Sequence, residues 1–231
     1  MNTQSINQAC SLENFFKHPM VLQGDTDDMQ PRIEIIRTAK GEHLFRSDEA
    51  ASYMYALRSG LIKLTQLRVD GDHRIIRLVR PGDLVGLRSL LGQPHKYDAV
   101  AMMPTVACRI PVTDLRSICS RLPTLRDEIY ARWQHTVDEA SNWLVDLSSG
   151  SARSRIANLM LMLKDAESDI VRHVPTRQDM ASILGVKTET VSRLYSELKK
   201  SGYIARKSSG EVEIDVEALR AIAFETEGSS D

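Results

Sequence analysis

The sequence has few of the features that mark secreted, membrane or disulfide-stapled proteins. Only three of its 231 residues are cysteine, an odd and sparse set unlike a disulfide framework, so we expect reduced thiols. No stretch of about 18 apolar residues is present, so no membrane-spanning helix is expected. The start of the chain also lacks the basic residues and apolar core of a secretion signal. These absences predict a cytoplasmic protein that does not enter a membrane.

Clusters of residues that carry metal or nucleophilic chemistry are missing too. The six histidines form no His-x-His or Cys-x-x-His motif, so a metal-bearing enzyme has little support. We find no nucleophile elbow and no paired carboxylates with a base. A binding protein is therefore favoured, with a metal-dependent barrel enzyme as the rival interpretation.

Charge is nearly balanced overall but uneven along the chain. The formal net charge is -1, which is unfavourable for a nucleic-acid binder because Lys and Arg contacts to phosphate supply most sequence-independent affinity. Residues 172–207, however, contain eight basic and three acidic side chains, so they carry +5 and the remainder carries -6. This segment is where a polyanion would bind.

Hydropathy divides the chain into regions of different period. Residues 1–30 are polar and are predicted to form a flexible arm. Short apolar runs punctuated by glycine fill residues 31–111, a spacing typical of an antiparallel sandwich or barrel. The sequence Asp70-Gly71 marks its clearest hairpin turn. Residues 149–231 follow a Ser/Gly hinge and are predicted to form a separate C-terminal domain.

Between these domains, residues 112–148 show a period of three to four residues, which predicts one long amphipathic helix. Its apolar stripe is longer than an average globular helix, which favours self-association into a homodimer. Coverage of the barrel by the same helix stays open as the alternative. The predicted dimer stripe consists of Leu122, Leu125, Ile129, Trp133, Val137, Ala140 and Leu144.

Residues 174–204 carry the strongest local signal. Thr176 can cap a helix, and Gly185 can end it with the positive φ angle that a tight turn between helices needs. A second helix opens at Lys187 or Thr188 and turns its apolar residues inward. This pattern predicts a helix-turn-helix whose exposed second helix carries the short polar and basic side chains that a major groove requires.

This segment resembles the helix-turn-helix of the CRP/FNR superfamily, and the likeness extends over roughly residues 33–220. Its most specific element is Glu-x-x-Ser-Arg, present as Glu189, Ser192 and Arg193, which is similar to the signature of the FNR branch. The resemblance implies an α+β protein with an N-terminal antiparallel β-roll like a cyclic-nucleotide-binding domain, a long dimerisation helix and a C-terminal winged helix-turn-helix. It also implies a homodimeric transcription activator that contacts RNA polymerase and reads a palindromic TTGAT-N4-ATCAA-like operator in double-stranded DNA.

Individual roles follow from side-chain chemistry and from this resemblance. Arg193 can contact guanine O6 and N7 in a bidentate manner, Glu189 can accept from a cytosine amino group, and Ser192 can adapt to a neighbouring base. The family contacts phosphate at the start of the first helix, and its wing resembles the hairpin at residues 203–214. The predicted DNA-binding residues are Thr176, Arg177, Gln178, Lys187, Thr188, Glu189, Ser192 and Arg193.

The predicted roll contains a glycine-framed segment, residues 81–92, that resembles the cassette that binds cyclic nucleotides in this superfamily. In members that bind cyclic AMP, a Glu follows the second glycine and an Arg-Ser pair lies further on. This chain has Leu87 and Tyr97-Asp98 at those places, so a buried phosphate would lack its paired charge. Cyclic AMP is therefore not expected as a cofactor.

The cysteines and histidines indicate which other sensing chemistries of the family, iron-sulfur, thiol or haem, this chain could support. Cys108 stands close to the internal cluster ligand of the FNR branch, but the arm contains only Cys10, whereas an iron-sulfur cubane takes four thiolates. A complete cluster is not expected, although Cys10 and Cys108 stay candidates for a redox response, and Cys119 is predicted to pack as a small apolar residue. Haem needs only one axial histidine. His73 and His95 are predicted on exposed turns and neither is assigned as a ligand, so a haem or thiol sensor stays open as an alternative.

Overall fold

The computed structural model describes residues 31–69, 71, 73–207 and 211–224. The predicted arm with Cys10, and the tip of the predicted wing hairpin, lie outside these residues. The chain divides into two compact units, Met1–Val137 and Asp138–Asp231. The sequence predicted this boundary after residue 148, whereas the observed division falls within the long helix.

The first unit is a β-roll made of two antiparallel four-stranded sheets. The strands are β1 (Glu34–Thr38), β2 (His43–Phe45), β3 (Tyr53–Ser59), β4 (Ile62–Leu67), β5 (His73–Val79), β6 (Leu84–Val85), β7 (Asp98–Ala101) and β8 (Thr105–Pro111). One sheet has the order β1-β8-β3-β6 and the other β2-β7-β4-β5, which confirms the predicted sandwich. A short 3-10 helix, Leu87–Leu91, lies between β6 and β7.

Two helices follow the roll where the sequence predicted one. Helix α1 spans Val112–Arg121 and helix α2 spans Pro123–Ser148. Between them Leu122 has φ -119° and ψ 89°, outside the helical region. The cause is Pro123, because proline disfavours helical backbone at the residue before it.

The first two turns of α2 pack into the roll. Leu125 is 0% exposed and Ile129 is 3% exposed, and both join a core cluster that includes Leu115 and Ile118 of α1. Leu122 is partly buried against the same cluster. Leu125 and Ile129, two residues of the predicted dimer stripe, therefore cover the apolar interior of their own roll, whereas Leu122 is only partly buried.

The second unit is a winged helix-turn-helix, as predicted. The elements are α3 (Ala152–Leu163), β9 (Ile170–Val171), α4 (Arg177–Leu184), α5 (Thr188–Lys200), β10 (Ile204–Arg206), β11 (Val212–Ile214) and α6 (Val216–Ala223). The sheet has the order β10-β11-β9. Strand β9 was not predicted from the sequence, because two residues are too short to show a period.

The two described cysteines both lie at the core of the roll. Cys108 is buried there. Cys119 is half-buried and packs against the same core, and burial raises the pKa of its thiol. It packs as a small apolar residue, as predicted.

His95 lies inside the roll and not on an exposed turn. It is 4% exposed and stacks on Phe45, with ring centroids 3.8 Å apart and planes 12° from parallel. The prediction of an exposed His95 is wrong because backbone hydrogen bonds from Asp48 N to His95 O and from His95 N to Glu49 O hold the turn against the sheet. Burial lowers the pKa of His95, and the nearby Glu49 carboxylate opposes this effect.

We expect this imidazole to make the roll sensitive to acid. Because the pKa of His95 is lower in the folded protein than its ordinary value of about 6.5, the unfolded chain takes up a proton more readily. The stabilisation is present above that ordinary value and is lost as the pH falls through the lower folded pKa. Urea unfolding of the parent and of His95→Phe between pH 7.5 and 5, values chosen to bracket that range, should show the steeper loss of stability in the parent. Parallel curves for the two proteins would contradict this assignment.

Candidate nucleic-acid interface

Helix α4 begins with a reciprocal cap. The Thr176 hydroxyl accepts a hydrogen bond from the Asp179 amide at 3.0 Å and donates one to the Asp179 carboxylate at 2.8 Å. The predicted N-cap is thus confirmed, and Asp179 completes it from the third helical residue. This arrangement satisfies one of the amides that a helix start leaves without a partner.

The turn between the helices is formed as the sequence predicted. Helix α4 ends at Gly185, whose φ of 66° is left-handed and whose amide donates to the Ala181 carbonyl. Arg155 of α3 donates from its guanidinium to the Leu184 carbonyl at 2.9 Å, which caps the same helix end. Helix α5 begins at Thr188, three residues after Gly185, with Lys187 as its N-cap residue.

One side of α5 is buried, and this determines which side chains are exposed. The predicted inward residues Val191, Leu194 and Leu198 are buried, and Tyr195 is buried beside them. On the opposite side Glu189 and Arg193, one helical turn apart, are exposed, while Ser192 is half-buried at the edge of the exposed face. The structure therefore presents the Glu-Arg pair to solvent on a helix whose rotation is held by its core contacts.

The other predicted contact residues lie at the start of each helix. Thr176, Gln178, Lys187 and Thr188 are exposed. Arg177 is half-buried, because its guanidinium carbon lies 3.3 Å from the centre of the Tyr195 ring. Sequence reasoning missed this stack, since nothing in the spacing of residues 177 and 195 indicates that they meet.

Two basic residues around the wing are already engaged by acids. Arg172 pairs with Asp165 at 2.6 Å and with Glu211 at 3.6 Å. Lys207 pairs with Glu213 at 3.1 Å. These pairs tie the wing strands together, so the positive charge of residues 172–207 is not all available to a partner.

Comparison with known proteins agrees with this architecture. Residues 35–122 match the cyclic nucleotide-binding domain, and residues 154–222 match the Crp-like helix-turn-helix domain. The chain belongs to the CRP/FNR family. It is a DNA-binding transcription regulator, as the matched helix-turn-helix domain and the similar regulatory proteins indicate.

Similar proteins span most of this regulator. Electron transport regulator A of Shewanella oneidensis is 29% identical over 203 residues, which are 85% of this chain and 80% of that protein. The fumarate and nitrate reduction regulatory protein of Vibrio cholerae is 28% identical over 207 residues, 87% of this chain and 83% of that protein. The solved structure of FixK2 from Bradyrhizobium japonicum has a TM-score of 0.74 at 22% identity and covers 86% of this chain and 99% of its own, which confirms the fold.

The structure shows what the cassette residues singled out in the sequence contact. Leu87 packs against the apolar core that includes Ile129 of α2. The Asp98 carboxylate accepts a hydrogen bond from the Ser47 amide at 2.8 Å. Gly86 has a φ of 86°, and a Cβ added there would lie 2.9 Å from the Tyr53 carbonyl oxygen. Leu87 thus makes an apolar contact and the Asp98 carboxylate a backbone hydrogen bond, both within the roll.

In the part of the chain that the structure describes, no three His, Cys, Asp or Glu side chains are grouped so that they could hold a metal ion. None of the described helices is both long enough and apolar enough to span a bilayer.

Proposed function

We propose that this regulator is a cytoplasmic homodimer that reads a palindromic TTGAT-N4-ATCAA-like operator in double-stranded DNA through α5. The observation that carries the proposal is the exposure of Glu189 and Arg193 on one face of a helix whose opposite face is buried. No carboxylate engages Arg193 within the described residues. Its guanidinium is thus available for guanine O6 and N7, the commonest specific contact in a major groove.

The remaining contacts divide between bases and phosphates. Glu189 can accept from a cytosine amino group, and Ser192, at the edge of the exposed face, is placed for a neighbouring base. The Thr176 hydroxyl is engaged by Asp179, so we assign phosphate binding at the start of α4 to Arg177 and Gln178. Lys187 and Thr188 flank the turn on the same helix pair and would hold the backbone of the duplex.

The proposed dimer surface is the exposed part of α2. Tyr130 is 57% exposed and Leu144 is 66% exposed, and Trp133, Val137 and Ala140 lie between them, also exposed. These five residues are spaced alternately by three and four along the helix, the spacing of a two-stranded coiled coil. A two-fold axis along this seam would present two reading helices to half-sites one helical turn apart, which accounts for a palindromic operator.

Regulation is proposed from the same family likeness. We infer an activator that contacts RNA polymerase when it is bound at its operator. The roll would act as the sensor, without cyclic AMP and without a complete iron-sulfur cluster. Leu87 and Asp98 support the first exclusion, since neither can supply the groups that a ribose and a cyclic phosphate require.

Substitution of the reading arginine tests the proposed base contact. Arg193→Ala should remove about 1 to 3 kcal/mol of discrimination per half-site while the protein stays folded. Gel retardation with the TTGAT-N4-ATCAA duplex and with a scrambled duplex measures this difference. Arg220→Ala, an exposed arginine on α6, serves as the control and should discriminate as the parent does. If Arg193→Ala still prefers the palindrome to the parental extent, the contact is assigned to the wrong residue.

A charge in the α2 seam tests the dimer. Val137→Glu would place two carboxylates near the two-fold axis, where desolvation and repulsion both oppose association. Sedimentation should then show a monomer, and operator affinity should fall far more than the loss of one contact predicts, because each subunit holds one half-site alone. Ala131→Glu, exposed on the same helix but off the seam, should stay dimeric. A dimeric Val137→Glu with normal affinity would show that the subunits associate elsewhere.

Calorimetry tests the exclusion of cyclic AMP. We expect no measurable heat of binding at micromolar nucleotide, because Leu87 and Asp98 occupy the places of the ribose acceptor and the phosphate-binding cation. Micromolar binding accompanied by a change in DNA affinity would overturn this interpretation of the cassette.

A further inference from the structure

A cationic cleft opens in the second unit between the start of α4, the C-terminal half of α5 and strand β10. Its polar lining includes Arg177, Ser196, Lys199 and Arg206. The base-reading assignment of Glu189, Ser192 and Arg193 does not use it. The cleft borders the reading face, because Ser196 lies one helical turn beyond Ser192 on α5.

The cations around this cleft are not equivalent. Arg172 also lines it, but it is paired with Asp165 and Glu211. Lys199 and Arg206 are exposed, and no carboxylate within the described residues forms an ion pair with either of them. Two cations on different elements thus converge on one opening without a counter-charge from the protein.

Arg177, which also lines the cleft, is held in place by Tyr195. The guanidinium carbon sits 3.3 Å above the ring centre, and the guanidinium also approaches the Met180 sulfur at 3.6 Å. Tyr195 is buried, so the ring is a fixed platform. A stacked guanidinium keeps its charge and its outer N–H donors while losing rotamer freedom before any ligand arrives.

We propose that this cleft binds one phosphodiester group of the DNA backbone beside the base-reading contacts. Lys199, Arg206 and Arg177 contact the phosphate, with Tyr195 as a positioning residue. The inference rests on the proposed DNA binding and deepens it. A phosphate fits better than a base edge, since unpaired cations on three elements provide charge without the planar donor and acceptor pattern that reads a base.

The salt dependence of binding tests the cleft. In Lys199→Ala/Arg206→Ala, the slope of log affinity against log salt should become shallower by about 2 per dimer, one phosphate for each cleft. The loss should be equal for the palindromic and the scrambled duplex, whereas Arg193→Ala loses only the preference between them. Arg220→Ala removes an exposed arginine away from the cleft and should leave the slope near the parental value.

Two substitutions of the platform test the positioning role. Tyr195→Phe keeps the ring and should keep parental affinity. Tyr195→Leu, apolar but without a ring, should lose about two- to tenfold on both duplexes, with thermal unfolding used to verify the fold. A folded Tyr195→Leu with parental affinity would overturn the role of the ring.

The results of these experiments distinguish a failure of the phosphate assignment from a failure of the proposed function. If the parent binds the palindrome and the double variant keeps the parental slope, or loses affinity for the palindrome alone, the phosphate assignment is wrong and DNA reading stands. If the parent binds neither duplex, the proposed function fails and the cleft assignment fails with it.

Discussion

The packing of the apolar side of α5 against its own unit is the interaction on which DNA recognition depends. Val191, Leu194 and Leu198 are buried at helical spacing, so the helix cannot turn about its axis without exposing them. Each residue of a helix advances by about 100°. The directions of Glu189 and Arg193 are therefore consequences of core contacts that neither residue makes.

Helix α2 shows how one periodic stripe can serve two kinds of contact. Leu125 and Ile129 are buried in the roll, whereas Trp133 and Val137 continue the same spacing on an exposed surface. Both contacts require apolar residues every three to four positions, so the period does not distinguish them. Only the fold shows where the roll ends along the helix, and thus where a stripe available to a partner begins.

Local chemistry explains why so much of the helix-turn-helix could be predicted. A cap at Thr176, a left-handed turn at Gly185 and the inward face of α5 all depend on neighbours within a few residues. The β-roll was predictable as a class for the same reason, because short strands and glycine turns are local patterns. Pairings between distant residues were not predictable in this way. The Arg177–Tyr195 stack and the burial of His95 under Phe45 depend on chain folding that brings separate segments together.

The close packing around Gly86, in the cassette, limits how the sequence can change at this position during evolution. Gly86 lies so close to the Tyr53 carbonyl that no side chain fits, and this restriction comes from the packing of the roll, not from a ligand. Selection for folding alone would thus keep a glycine here, whether or not the roll binds a nucleotide. A glycine at this place therefore reports on the packing of the scaffold, and its presence alone does not indicate a bound nucleotide.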